Sequence, residues 1–290
     1  MTFLLTKIFV SLYGWVQDRF GVQLRGLGFF LRLNGRDCVI TIRGQRMYFD
    51  HRVAAAYGRM VAGSWNEPET HRFLDRVIAA GTGPLAFVDV GASVGEFVID
   101  VSRRDRVNRV VAFEPLEECA EAVRRSAALN GRATVEVVAK LVNEDGRPGT
   151  LSFDVRRPTA SAAGQAERFS REIDATTLDR SLGDLHGDVV LLIDVEGAEP
   201  GVLRGGREFI RRCAPLIIFE YNSLSKKHFN LDDIRDALGK GYGIYRLTES
   251  GTLDLDFDRS WNCVAVSVAS PWMALCSKLL HPAAAAGDAA

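Results

Sequence analysis

The sequence predicts an α/β fold built on a mostly parallel sheet covered by helices on both faces, and three observations carry that reading. From Leu85 onward, short runs rich in Val and Ile alternate with helix-like stretches. The runs are apolar at nearly every position, as buried parallel strands are, instead of alternating between apolar and polar. The first run empties into Asp89-Val90-Gly91-Ala92-Ser93-Val94-Gly95, a string of small residues placed where a strand must turn sharply into a helix.

The elements follow in order. Residues Cys38 to Phe49 alternate around Arg43-Gly44 and predict a hairpin, and helical periodicity runs from Val53 to Ala80. Strands are predicted at Phe87 to Val90, Arg109 to Phe113, Val135 to Val138, Val189 to Asp194 and Leu216 to Glu220, then at Ile244 to Leu247 and Asn262 to Val268. Helices are predicted at Gly95 to Arg104, Leu116 to Leu129, Val202 to Arg212 and Leu231 to Leu238, with Asn130-Gly131 and Gly239 marking stops. Thr150 to Val155 is read as an extra strand, and Arg156 to Arg171 as a polar loop. The division expected is a cap over 1–82, a main domain over 83–270, and a C-terminal helix with a frayed tail over 271–290.

Composition narrows the function. The chain has 290 residues, 47% hydrophobic, enough for a substantial core, and a net charge of -1 that offers no general attraction to phosphate backbones. Nucleic acid is therefore not the expected partner. Its five cysteines form no CxxC pair, which fits a reducing cytoplasm and argues against a zinc site. The apolar start, Met1 to Val16, is interrupted by Lys7 and too short to span a bilayer. It reads as a packing helix, with peripheral contact to a membrane surface as the alternative.

In open α/β sheets, ligands bind beyond the carboxyl ends of the strands. There the chain places Asp89, Gly91, Ala92, Ser93 and Gly95 after the first strand, and Glu114-Pro115 after the second, where a carboxylate suits a ribose diol. A dinucleotide fingerprint would need glycine at 93 and 96, which are Ser93 and Glu96, so a pyrophosphate is disfavoured. Asp89 suits the ammonium of an amino-acid tail, with its carboxylate near the amides by Gly95. Adenosine joined to methionine satisfies both ends.

Four blocks, FVDVGASVGEF, VVAFEP with a helix ending Leu129-Asn130, TTLD, and LLIDVEGAEPGVLRGG, resemble the FkbM-type methyltransferases in that family's order. The resemblance spans Glu67 to Glu220, with Trp65-Asn66-Glu67-Pro68-Glu69 similar to the family's entry segment and Asp194 to Glu199 its most specific string. It implies S-adenosylmethionine as cofactor, a seven-stranded Rossmann-like class I methyltransferase sheet, and a hydroxyl of a sugar, glycolipid or natural product as acceptor. Lys140 departs from the family, which has a small apolar residue near the adenine there, and is read as pointing to solvent.

An aliphatic hydroxyl is a weak nucleophile and calls for a general base or a metal. Asp194 and Glu196 follow the fourth strand and Glu220 follows the fifth, so all three are candidate catalytic residues, with Asp194 also a candidate cofactor contact. Asp194, Glu220 and Asn222 could alternatively bridge Mg2+ through oxygen. Glu199 is assigned to capping the next helix and Thr177-Leu178-Asp179 to an N-cap and turn. The histidines are dispersed and read as surface or internally satisfied residues, with His228 the one near the strand-five rim. Two other functions fit the same pattern: a nicotinamide or nucleotide-sugar enzyme, and a catalytically silent adenosyl-binding scaffold.

Overall fold

The computed structural model describes Ile8, Leu12 and residues 36–154, 157–161 and 168–280, with no side-chain detail for 152–169. The expected N-terminal packing helix and the tail after 280 lie outside the described residues.

An eight-stranded sheet forms the centre. Its strands are β3 (Leu85–Val90), β4 (Val107–Phe113), β5 (Val135–Val138), β11 (Asp188–Ile193), β12 (Leu216–Glu220), β13 (Tyr242–Leu247), β14 (Leu253–Asp254) and β15 (Asn262–Ser267). They lie in the order β14-β13-β15-β12-β11-β3-β4-β5. From β5 through β12 neighbours run parallel, and β15 is antiparallel to both β12 and β13. This is the Rossmann-like class I methyltransferase order, with the two-residue β14 added to the seven expected strands. Strand order reverses between β3 and β11, which opens the crevice where such sheets bind ligands.

Side-chain parity explains the two-faced core. Phe87, Val110, Val190, Leu192, Leu216, Ile218, Val264 and Val266 join one apolar cluster with Tyr57, Phe73, Phe97, Val123 and Trp272. Val88, Val111, Leu191, Ile193, Ile217, Phe219 and Cys263 join the other, with Leu203, Phe209 and Ile234. A period of two on fully buried strands yields this division. The first face is covered by a 3-10 run (His51–Ala62), α1 (Pro68–Ala80), α2 (Glu96–Val101), α3 (Glu117–Leu129) and α8 (Met273–Leu279). The second carries α4 (Leu178–Ser181), α5 (Glu199–Arg204), α6 (Arg207–Cys213) and α7 (Leu231–Leu238).

The hairpin is β1 (Cys38–Ile42) and β2 (Gln45–Phe49), turned through Arg43 and Gly44 at φ 47° and 83°. Three sequence expectations need correction. The segment read as a loop after residue 155 holds strands β8 (Arg157–Ser161) and β9 (Arg168–Ile173), which flank β7 (Gly149–Asp154) in a separate antiparallel sheet. The single helix expected over Val202 to Arg212 is two, broken at Gly205-Gly206, where the backbone passes so close to the Asn143 carbonyl oxygen that a Cβ on Gly205 would lie 2.2 Å from it. The continuous periodicity from Val53 to Ala80 conceals a kink at Gly58 and a break before Pro68. Short β6 (Leu141–Val142) and β10 (Ala175–Thr176), which pair in parallel, carried no sequence signal.

Thr177 Oγ1 accepts from the Arg180 N–H at 3.1 Å, and the Asp179 carboxylate accepts from the Glu208 and Phe209 N–H groups. The TTLD string thus supplies the expected N-cap through Thr177 and, through Asp179, a second cap that the sequence did not suggest. No helix among the described residues is long and apolar enough to cross a membrane.

Candidate functional site

Parity that builds the core also aims the acids. Asp89 shares its face of β3 with Phe87, Glu114 continues the Val110 and Ala112 row of β4, Asp194 the Val190 and Leu192 row, and Glu220 the Leu216 and Ile218 row. All four carboxylates therefore leave the carboxyl rim on one face, the face that the 51–80 segment covers. Two cavities lie there, of about 360 and about 150 Å³, and they share Ala56, Asn66, Gly91, Ser93 and Asp194.

The loop after β3 is shaped by close approach. Gly91 sits at φ 90°, and a Cβ there would lie 1.8 Å from the Asp194 carbonyl oxygen. Its N–H and that of Ala92 both donate to the Phe113 carbonyl, at 2.9 and 3.0 Å, which ties the start of the loop to the end of β4. Ser93 takes φ 48°, so its N–H donates to Glu114 Oε2 at 2.8 Å, while Glu114 Oε1 accepts the Leu116 N–H at 2.8 Å. Glu114 is 5% exposed, and burial pushes its pKa up to about 7 against the pull of these two amides. Each oxygen retains a lone pair for a further donor.

Gly91, Ser93, Glu114 and Pro115 line the larger cavity, and Asp89, Gly91, Ala92 and Ser93 the smaller. Gly95 lines neither; its N–H closes the turn onto the Ala92 carbonyl at 2.8 Å, and a Cβ would press on Val123. Lys140 is exposed yet borders the larger cavity. Asp89 is 1% exposed, and both carboxylate oxygens are buried without a hydrogen-bond partner among the described residues. Burial, then the nearby Glu114 and Glu67, push its pKa well above the carboxylate range. An unpartnered buried acid in a cavity wall calls for a donor from a ligand, and a cationic one best.

Across the crevice, Glu199 folds back and accepts from the Val195 and Gly197 N–H groups at 3.1 and 3.0 Å, holding the loop that carries Glu196 at φ 56°. The capping role expected of Glu199 thus has a second effect, the presentation of Glu196 to the larger cavity. Gly197 gives the His228 ring its seat, since a Cβ would lie 2.7 Å from it. Glu220 accepts from Asn222 Nδ2 and from Ser225 Oγ at 3.2 Å. Burial, then repulsion from Glu196 and Glu199, lifts its pKa to about 8; burial and then Glu220 raise Asp194 well above the usual range.

The expected Mg2+ set does not assemble. Asn222 Oδ1 is taken by the Leu224 and Ser225 N–H groups, at 2.7 and 3.1 Å, so it offers no oxygen beside Glu220. Oxygens of Asp194, Glu199 and Glu220 lie within 4.8 Å of one another, and those of Glu199 and Glu220 also accept hydrogen bonds from the protein.

Sequence reasoning missed a third group. Glu96 accepts from the Asn66 N–H and Nδ2, the Glu67 N–H and His71 Nε2, at 2.7, 2.7, 3.2 and 3.0 Å. His71 Nδ1 bonds Asp100 at 2.8 Å, and the ring stacks between Trp65 and Phe97. Glu67 Oε2 accepts from Asn262 Nδ2 at 2.6 Å and Thr70 Oγ1 at 3.1 Å, and Glu67 lines the smaller cavity. The available signal was the polar string Asn66-Glu67 between Trp65 and Pro68.

Residues 89–245 match the family described as the methyltransferase FkbM domain. No curated protein gave a significant match. Among solved structures, the chain is similar to methyltransferase FkbM from Methylobacillus flagellatus KT, with 21% identity, 63% of this chain and 43% of that one covered, and a TM-score of 0.41. It therefore spans less than half the length of that protein. It is also similar to M. jannaschii TYW2 in complex with AdoMet, with 11% identity, 80% and 84% covered, and a TM-score of 0.42. The ribosomal protein L11 methylase of Lactobacillus delbrueckii subsp. bulgaricus shows 16% identity, 70% and 79% covered, and a TM-score of 0.39.

Proposed function

Because the chain belongs to the FkbM methyltransferase domain family, we propose that it moves a methyl group from S-adenosylmethionine to a hydroxyl on a sugar, glycolipid or natural product. The observation that carries the cofactor reading is the pairing of a buried, unpartnered Asp89 with Glu114 at adjacent strand ends. One matches an ammonium and the other a ribose diol, and small residues between them leave room for the ligand.

When bound, S-adenosylmethionine supplies a methyl group activated by its sulfonium. Glu114 accepts the ribose hydroxyls while keeping the Ser93 and Leu116 amides, and Asp89 faces the ammonium. Asp194 stands where the two cavities meet and orients the acceptor hydroxyl. Glu220, already held by Ser225 and Asn222, would take the proton that the acceptor hydroxyl gives up on receiving the methyl group, with Glu196 as the alternative base. A base with a pKa of about 8 suits proton transfer near neutral pH. Much of the remaining rate would come from holding nucleophile, methyl and sulfur in line.

Isothermal titration with S-adenosylmethionine, S-adenosylhomocysteine and NAD tests the cofactor: both adenosyl compounds should bind and NAD should not. With an acceptor identified, Asp194→Asn and Glu220→Gln should each lower kcat by about 10²–10⁴, and Glu220→Gln should leave cofactor affinity within a few-fold. Intact turnover in both variants would overturn the assignment.

A further inference from the structure

We infer that Asn66 and Glu67, which precede the matched domain, complete the cofactor site: Glu67 and Asp89 together receive the ammonium of the amino-acid tail, and the buried chain Glu96–His71–Asp100 positions Glu67 for it. The inference rests on the S-adenosylmethionine reading.

Among the described residues, the smaller cavity is walled by Glu67, Asp89, Glu96 and Asp194 and by no lysine or arginine. Glu96 is spoken for, with four donors on its two oxygens, one of them the His71 ring. Burial disfavours a charged imidazole, but hydrogen bonds to Asp100 and Glu96 outweigh it and raise the His71 pKa. Asp100 is in turn paired with Arg103 at 2.8 Å. Glu67 and Asp89 have no such compensation among the described residues. Asp89 has no partner there, and Glu67 accepts only from the neutral Asn262 and Thr70, both on Oε2. Glu67, Asp89 and Asp194 are thus three acids facing one small cavity whose described lining holds no lysine or arginine, and such a cluster forms a receptor for a cation.

Placement of Glu67 is fixed from both sides. Asn262 anchors its carboxylate from β15, and its own backbone N–H is bonded to Glu96. Asn66 Oδ1 accepts the Arg59 N–H at 2.7 Å and sits where a Cβ on Gly58 would be, 2.4 Å away. The Gly58 kink and the Glu96 carboxylate thus clamp Asn66 and aim the next residue. Glu67 is a ligand contact in this scheme; Glu96 and His71 are positioning residues that act through it.

The test uses the full chain and three probes: S-adenosylmethionine, S-adenosylhomocysteine, and 5′-methylthioadenosine, which lacks the amino-acid tail. Glu67→Gln keeps an oxygen for Asn262 and should weaken the two tailed compounds about ten- to hundredfold, leaving methylthioadenosine within about twofold. Glu67→Asp keeps the charge but retracts it, and should give a smaller loss with the same tail dependence. His71→Gln should lower the tailed-to-tailless affinity ratio as well, which a merely structural defect would leave unchanged. Equal weakening of all three probes, or unchanged affinity for the tailed ones, would overturn the inference. Failure of the wild-type protein to bind any probe would instead overturn the cofactor reading beneath it.

Discussion

Glu114 should make the unliganded protein lose stability as pH rises, and Glu114→Gln should remove most of that slope. An ordinary glutamate titrates at 4.5, whereas burial holds Glu114 at about 7 in the folded chain. Between those values the folded state keeps a proton that the unfolded state has released, so the stability of the folded state falls as pH increases and levels off above about 7. A difference of this size corresponds to about 3 kcal/mol, a large share of an ordinary domain's stability. Glutamine cannot ionise, but its amide nitrogen turns one donor toward the Ser93 or Leu116 N–H, at a constant cost of about 1–2 kcal/mol. The variant should thus be less stable than wild type at pH 5, and the gap should close or invert by pH 8. Urea unfolding of both proteins at four pH values, without cofactor, reads the difference directly. Glu67, Glu199 and Glu220 also titrate high, for the same reason of burial, so both proteins should share their part of the slope. A gap independent of pH from 5 to 8 would refute the raised affinity of Glu114 for its proton.

Gly91→Ala should destabilise the fold by about 1–3 kcal/mol from backbone strain alone, more if Asp194 cannot shift, and should abolish adenosyl binding; thermal melting and calorimetry check both. His71→Ala removes the ring that bridges buried Glu96 and Asp100, although Asp100 keeps Arg103, and should cost about 3 kcal/mol, measured by urea unfolding. In Gly197→Ala, a methyl group meets the His228 ring in a left-handed backbone, so acceptor turnover should fall while S-adenosylhomocysteine affinity holds; steady-state kinetics and titration separate the two.

The sheet was legible because its strands are buried on both faces, and that burial selects the nearly continuous apolar runs of β3, β11 and β12. Glycine spacing and the terminal acids Asp89, Glu114, Asp194 and Glu220 were legible for the same reason, since a carboxylate at the end of an apolar strand needs a partner. Illegible features depend on pairings across long sequence distances. Glu96 reads as an ordinary first-turn helix acid, and its bonds to Asn66 and His71 exist only because α1 packs beside α2. Asn262, far along the chain, reaches Glu67 through the antiparallel course of β15. Asn222 was misjudged as a metal ligand because its turn-forming bonds to Leu224 and Ser225 are local geometry that composition does not reveal. Strands β8 and β9 escaped because their sequences are polar, and pairing with β7 supplies what apolar pattern does not.

Methyl transfer to a hydroxyl, as proposed, is tested most directly by incubation with methyl-labelled S-adenosylmethionine and a panel of sugars, glycolipids and polyhydroxylated natural products, followed by mass spectrometry. The expected product carries one labelled methyl in place of a hydroxyl hydrogen, is stable to mild base as an ether is, forms in equal amount with S-adenosylhomocysteine, and is lost in Glu220→Gln. Label found only on nitrogen or carbon, or product formation undiminished in that variant, would contradict it.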